Sequence, residues 1–302
     1  MRKETGMTIF LVLIFLVALF TYQKRNLTFL RLTPSPNKVM VIKNIRYIDD
    51  GLEKHRLDLY LPKNKKDFSI VQFVHGGYWT SGDKDYYAAI TGLYGSTGRA
   101  LAAKGIGVVI QNYRLAPDVQ IDGEIDDVVS AIKWTQNHIA EYGGDPTHHF
   151  LMGHSAGGHL ITILGLDPEY FARAGIRSGT IRGYISLSGI VDLNDMAAKN
   201  DEQFKESIIY RVFGRDPETL MHYSPTSYIQ KSMPPFLIMI GEHDFDYLIP
   251  ETNAAIQKMK DVGASPKFKV IAGNTHMDMV LKFGSREDNM TQPVVDFIHQ
   301  SQ

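Results

Sequence analysis

The chain of 302 residues contains no cysteine, which excludes a disulfide framework, a thiolate nucleophile and a cysteine-ligated zinc site. Any covalent chemistry must use another side chain. It also lacks an excess of charge, with 32 Lys and Arg against 33 Asp and Glu interspersed along its length. Neither the basic footprint of a nucleic-acid binder nor an acidic tail is present. Repeats and low-complexity tracts are missing as well, and a hydrophobic content of 44% can supply one sizeable core. Long apolar runs are scarce. One stands out, MTIFLVLIFLVALFTY from Met7 to Tyr22, flanked by Arg2 and Lys3 on one side and Lys24 and Arg25 on the other. At about 1.5 Å per residue it is slightly short for a bilayer core of about 30 Å and slightly long for the core of a signal peptide. Only Ala18 is small near its end, whereas Leu19, Phe20 and Tyr22 are bulky, so an uncleaved membrane anchor, an N-terminal hydrophobic helix within residues 1–29 that enters the membrane through residues 7–22, is expected rather than a removed signal. Secretion after cleavage is the alternative. Basic residues on both sides leave orientation open by charge; by analogy with export signals, the main domain is expected outside the cytosol.

After this segment, residues 30–38 (LRLTPSPNK) read as a linker. A domain over 39–302 begins with VMVIKNIRYI and HRLDLYLP, two alternating polar-apolar runs around DDGLEK, which predict an antiparallel pair at a sheet edge. SIVQFVH, GIGVVIQNY, HFLMG, IRGYISLS, PFLIMIG and FKVIAG follow as continuous apolar runs, most separated by helical-length segments such as IDDVVSAIKWTQNHIAEY. Such alternation predicts an α/β fold, a mostly parallel sheet of about eight strands covered by helices on both faces. The alternation breaks over residues 193–233, a stretch with helical signal of its own, which reads as a lid or pocket wall inserted into the domain.

Reactive groups of a parallel sheet gather at the carboxyl ends of its strands. At one such end lies GHSAG, with HFLMG as the strand and AGGHLITILG opening a helix. The G-x-S-x-G pattern is weak alone, because a small serine capping a helix would look the same. In strand-turn-helix context it acquires a mechanism: glycines permit a sharp turn that lifts Ser155 clear of the sheet and aims a helix N-terminus at it. FVHGGYW, residues 73–79, ends an earlier strand in a second glycine pair. Glycines there let backbone N–H groups approach a substrate oxygen, so Gly76, Gly77 and Ala156 are candidate oxyanion donors. Tyr78 and Trp79 are candidate substrate contacts.

A serine hydroxyl needs a histidine base oriented by a carboxylate. Of 11 histidines, His154 and His159 flank the serine, where His154 is expected to point away and both are expected to be structural. His75 is expected to hold the glycine loop. His276, in the loop after the last strand, can reach back to Ser155. PFLIMIGEHDFDYLIP supplies the acid, with Asp244 preferred and Asp246 and Asp192 as alternatives. The chain order Ser155, Asp244, His276 suits this fold class.

VHGGYWTSGDK, NYRLAP, YGGDP, GHSAGGHL and SPTSYI occur in the order found in α/β-hydrolases, and the chain from Val39 onward resembles their esterase and lipase branch, in particular the hormone-sensitive-lipase-like and kynurenine-formamidase-like enzymes. The HGG-x-W form at His75 to Trp79 looks more like the formamidase and small-esterase branch. The late proline of GEHDFDYLIP and the HMDM after the base depart from the common pattern, and the first keeps Asp246 in play. The resemblance implies hydrolysis of a small-molecule carboxylic ester through an acyl-enzyme, with no metal or organic cofactor and no nucleic-acid partner. A lipophilic ester is expected if residues 7–22 hold the domain at a membrane. An amidase or formamidase acting on an N-acyl or N-formyl aromatic compound is the main alternative. A non-catalytic binding module is a third, disfavoured because all three places of the triad are filled.

Overall fold

The computed structural model describes residues 38–86 and 93–301. The expected N-terminal helix, with its apolar run at 7–22, and all but the last residue of the linker lie outside them. Among the described residues no helix is long and apolar enough to cross a membrane.

Eight strands form one sheet: β1 (Val39–Arg46), β2 (Arg56–Pro62), β3 (Phe68–Val74), β4 (Gly107–Gln111), β5 (Gly144–His154), β6 (Ile181–Leu187), β7 (Phe236–His243) and β8 (Lys267–Thr275). Their spatial order is β1-β2-β4-β3-β5-β6-β7-β8. The β1–β2 and β2–β4 pairings are antiparallel, and every later neighbour is parallel. The edge pair and the strand count expected from the alternation are therefore present.

The inner strands are apolar on both sides because both faces are covered. Strand pleating sends successive residues to opposite faces: Phe150 and Met152 of β5 enter one core while Leu151 between them enters the other. The same division separates Leu237 and Met239 from Ile238 and Ile240 in β7. One face is covered by helices α1 (Leu93–Ala103) and α5 (Thr291–Gln300). The other is covered by α2 (Ile121–His138), α3 (Ala156–Leu166) and α4 (Leu248–Asp261), together with the insertion.

Strand order reverses at β3: the chain passes from β3 to β4 on one side, then returns to add β5 on the other. The crevice at such a switch point is where open α/β sheets bind ligands. Here it brings the end of β3, with Val74 paired to Gly153, beside the turn that follows β5.

The insertion consists of short helices at Leu193–Ala198, Glu202–Phe213, Pro217–His222 and Pro225–Tyr228. Asp192, Asp201 and Asp216 cap three of them by accepting N–H bonds from Asp195, Phe204 and Thr219. Met196, Ile209, Val212, Phe213 and Leu220 turn inward and join the core that α3 also enters. The stretch is thus a packed wall on the α3 side of the sheet.

A buried ionic cluster ties α2 to the sheet. Asp127 accepts from Arg114 N, Nε and Nη2 at 2.8, 2.8 and 2.6 Å, and His55 Nε2 lies 3.1 Å from its Oδ2. The carboxylate is only 2% exposed, so removing its charge leaves several donors without an adequate acceptor. Asp127→Asn is expected to destabilise the protein by about 2–4 kcal/mol. Chemical denaturation followed by circular dichroism checks this; a midpoint equal to that of the unmodified chain would refute the anchoring role.

Candidate active site

Ser155 sits between β5 and α3 with φ +56° and ψ −121°. A non-glycine residue in that region is strained and persists only where its surroundings hold it there. Here the Ser155 N–H donates to Leu187 O at 2.9 Å, and its carbonyl accepts from His159 N at 2.9 Å. The turn also packs hard against β3. A Cβ on Gly157 would lie 2.1 Å from Val74 O and 2.5 Å from His75 O, so only glycine permits the approach. Among the described residues seven non-glycines have left-handed φ: Asn44, Asn64 and Asp67, which are residue types that tolerate it, and Tyr78, Trp79, Ser155 and Ser188. The last four all belong to the turns around this serine, so the strain is concentrated at one place.

The glycine loop after β3 is locked by one carbonyl. Gly77 O accepts from Thr80 N, Ser81 N and Ser81 Oγ at 3.2, 3.0 and 2.9 Å. Gly77 itself has φ +131°, and a Cβ there would lie 2.1 Å from Ser81 O. Gly76 approaches the elbow so closely that a Cβ on it would lie 3.0 Å from Ser155 Cβ. Gly76, Gly77 and the first N–H groups of α3, which have no intrahelical acceptor, are thereby gathered around the serine. His75 holds this loop, as expected: it is fully buried, stacks on Tyr113 with centroids 4.4 Å apart, and donates from Nδ1 to Gly76 O at 2.9 Å.

Asp244 and His276 meet at the ends of β7 and β8, with His276 Nδ1 2.7 Å from Asp244 Oδ1. The carboxylate also accepts from Phe245 N at 2.9 Å, Ser188 Oγ at 2.5 Å and Gly241 N at 3.2 Å. Burial pushes its pKa up, but the hydrogen bond and charge of His276, then Ser188 and the Phe245 N–H, outweigh that and hold it below the ordinary carboxylate range. The ring of Phe245 stacks on His276 at 4.3 Å. The alternative acids are engaged elsewhere: Asp246 is exposed, and Asp192 caps the insertion and accepts from Thr226 Oγ1.

Two expectations change. His154 does not point away from the site. Its Nε2–H donates to His276 O at 3.0 Å and its ring lies 4.6 Å from that of His276, because the loop after β8 reaches back past β7 and β6 to the end of β5. It ties the histidine loop to the serine turn. Trp79 does not wall a substrate site, since it is fully buried, donates from Nε1 to His159 Nδ1 at 3.2 Å and packs edge-on against Phe213 at 4.9 Å. Its left-handed backbone turns the indole into the core. Tyr78 is half-buried, faces Phe204 of the insertion edge-on at 5.6 Å and interacts with the Tyr247 hydroxyl. His159 is structural, as expected, donating from Nε2 to Tyr223 O at 2.7 Å and so joining the glycine loop to the insertion. The contributions of Ser188, Phe245 and Phe204 escaped sequence reasoning. A serine–glycine pair closing the β6 run was the only available hint of the first.

A buried serine turn, a glycine loop beside it and a carboxylate-oriented histidine at the carboxyl ends of successive strands constitute the site architecture of an α/β-hydrolase of the esterase type. Within that class the chain belongs to the BD-FAE family, whose model matches residues 57–258. A probable isoprenylcysteine alpha-carbonyl methylesterase of Oryza sativa subsp. japonica is 30% identical over 86% of this chain and 64% of its own length. Esterase LipC of Mycobacterium tuberculosis is 29% identical over 74% of this chain and 56% of its own. The chain thus spans between about half and two thirds of the length of these curated relatives. Among solved structures, an inhibited esterase B from Lactobacillus rhamnosis superposes with a TM-score of 0.76 at 19% identity, over 94% of both chains. A truncated carbohydrate esterase from gut microbiota does so with a TM-score of 0.73 at 22% identity, over 90% of this chain and 99% of the other. At these identities the likeness concerns the fold.

Four histidines here and on β5 are buried and neutral. Burial lowers His75 and His159 to about 4 and His149 and His154 to about 3, against an ordinary 6.5. Unfolding restores them, so between those values the unfolded chain binds protons that the folded chain refuses, and stability falls as pH falls. Glu251, raised by burial to about 8, and Glu124, raised well above its ordinary value, act in the opposite sense down to about 4.5. Stability is therefore expected to decline from about pH 6.5 and to decline more steeply below about pH 4.5, by about 1.4 kcal/mol per pH unit for each uncompensated proton. Urea midpoints measured from pH 8 to pH 4 check this, and a flat profile across the acid range would contradict it.

Proposed function

We propose that this protein hydrolyses carboxylic esters by acyl transfer through Ser155. The observation that carries the reading is the buried His276–Asp244 hydrogen bond of 2.7 Å, with His276 held against His154, the residue before the strained strand-to-helix serine. In the first step His276 Nε2 takes the Ser155 hydroxyl proton as Oγ attacks the ester carbonyl. Asp244 holds the imidazole with Nδ1–H toward the carboxylate and stabilises the imidazolium that forms. The N–H groups of Gly76, Gly77 and Ala156 donate to the carbonyl oxygen and stabilise the negative charge that develops on it. The tetrahedral intermediate collapses, the alcohol leaves with the proton from His276, and water then cleaves the acyl-enzyme through the same base. The names of the relatives, methylesterase and esterase, support an ester as the substrate.

A second reading keeps the machinery and changes the bond to an amide or formamide. Phe245, stacked on His276, and the edge-on pair of Tyr78 and Phe204 favour a flat aromatic group on either class of substrate. Initial rates on an aryl ester and on an N-formyl aromatic amide of similar size separate the two. The ester is expected to turn over faster, and the reverse order would move the assignment to the second reading.

On a short p-nitrophenyl ester, Ser155→Ala is expected to abolish turnover while the protein stays folded. Asp244→Asn is expected to lower kcat by about 10⁴-fold, as loss of the orienting carboxylate does in such triads. Undiminished hydrolysis by the Ser155→Ala variant would sink the proposal, as would failure of a fluorophosphonate probe to label Ser155 in the unmodified chain.

A further inference from the structure

β6 ends at Leu187, and the next residue, Ser188, takes a left-handed backbone with φ +49°. Serine has no side-chain amide or carboxylate to ease that conformation, and glycine would adopt it without strain. The strain is imposed by close anchoring on both sides. Ser188 N donates to Met239 O of β7 at 2.8 Å, and two residues beyond Gly189 the chain is tied to α4, where Glu251 Oε1 accepts from Val191 N at 2.5 Å and Asp192 N at 2.9 Å. Held in this way, a side chain 2% exposed points its hydroxyl at the Asp244 carboxylate, with Oγ 2.5 Å from Oδ2. The other carboxylate oxygen, Oδ1, receives His276 Nδ1.

We propose that Ser188 is a positioning residue for the acid: its hydroxyl fixes the plane of the Asp244 carboxylate and withdraws charge from it, setting how strongly Asp244 holds a proton on His276. The inference rests on the assignment of Ser155, His276 and Asp244 above. A hydrogen bond to one carboxylate oxygen stabilises the anion and competes with the imidazolium for its charge. Without that bond Asp244 attracts the imidazolium more strongly, and His276 loses its proton at higher pH. The carboxylate is also less firmly oriented, retaining only the Gly241 and Phe245 N–H groups besides His276. The other titratable groups facing the pair are His154 from β5, Tyr78 from the glycine loop and Tyr247 before α4; Glu242, His243 and Asp246 on the acid's own segment are exposed. All are unchanged in the test below.

The test uses two substitutions that separate hydroxyl from backbone. Ser188→Ala removes the hydroxyl and keeps the strain, whereas Ser188→Gly removes the hydroxyl and relieves it. The full pH profile of kcat/KM on a p-nitrophenyl ester is measured for both, with thermal denaturation as a control for folding. In both variants the acid limb, which reports the base of the free enzyme, is expected to move up by about 0.5 to 1 in pH. kcat at the optimum is expected to fall about ten-fold while KM changes by less than about two-fold. If the Ser188→Gly limb superimposes on that of the unmodified enzyme, the hydroxyl has no such role, whatever the alanine variant does. Ser155→Ala run alongside distinguishes the two failures. Activity in that variant removes the triad assignment itself, whereas an inactive Ser155→Ala with an unmoved Ser188→Gly limb removes only the role of Ser188.

Discussion

The serine turn and the end of β3 are in contact backbone to backbone, and the rest of the site is arranged around that contact. A methyl group on Gly157 would fall 2.1 Å from Val74 O, well inside van der Waals distance. Because no side chain intervenes, the start of α3 sits beside the glycine loop, and Gly76 comes to the edge of Ser155. The proximity also lets Trp79 reach His159 on α3 and lets His159 reach Tyr223 in the insertion. Serine turn, glycine loop and insertion are therefore one packed unit. The left-handed φ angles of Tyr78, Trp79, Ser155 and Ser188 are the conformational cost of that unit, about 1–3 kcal/mol for each residue so held.

Electrostatics divides the histidines of the site by their partners. His75, His154 and His159 pair with backbone carbonyls or an indole N–H and are kept neutral by burial. His276 alone among them is bonded to a carboxylate. A neutral imidazole bonded to a carbonyl is a strut, whereas one backed by a carboxylate can take a proton and have the resulting charge compensated. The same contrast applies to acids. Asp244 has four donors around it and stays ionised, whereas Glu251, buried on α4 with two backbone donors, has its pKa raised by burial to about 8.

Much of the fold could be read from the chain because its signals are local. The inner strands are continuous apolar runs, and their period-two division between two cores follows from the pleat alone. That a carboxylate after β7 could meet His276 was legible for a related reason: both follow a strand at its carboxyl end, and adjacent parallel strands bring such positions together. Signals that depend on side-chain direction were not legible. Trp79 reads as a substrate contact in HGGYW but turns inward, because the left-handed backbone at Tyr78 and Trp79 reverses where the indole points. His154 reads as a neighbour facing away, but the loop after β8 reaches back to the end of β5 and meets it. Ser188 carried no recognisable pattern, since its role lies in a contact 56 residues away in sequence.

The sequence by itself determined the α/β class, the eight strands, the glycine-bounded serine and the order in which Ser155, Asp244 and His276 appear. Those properties follow from hydrophobic period and from the backbone freedom of glycine, which act over a few residues. Tertiary structure decided which carboxylate meets His276, which histidines are struts, and where the aromatic side chains of the glycine loop point. These depend on register, burial and the hydrogen-bond partners left over once the backbone is packed, and none of them is encoded within a single window of the chain.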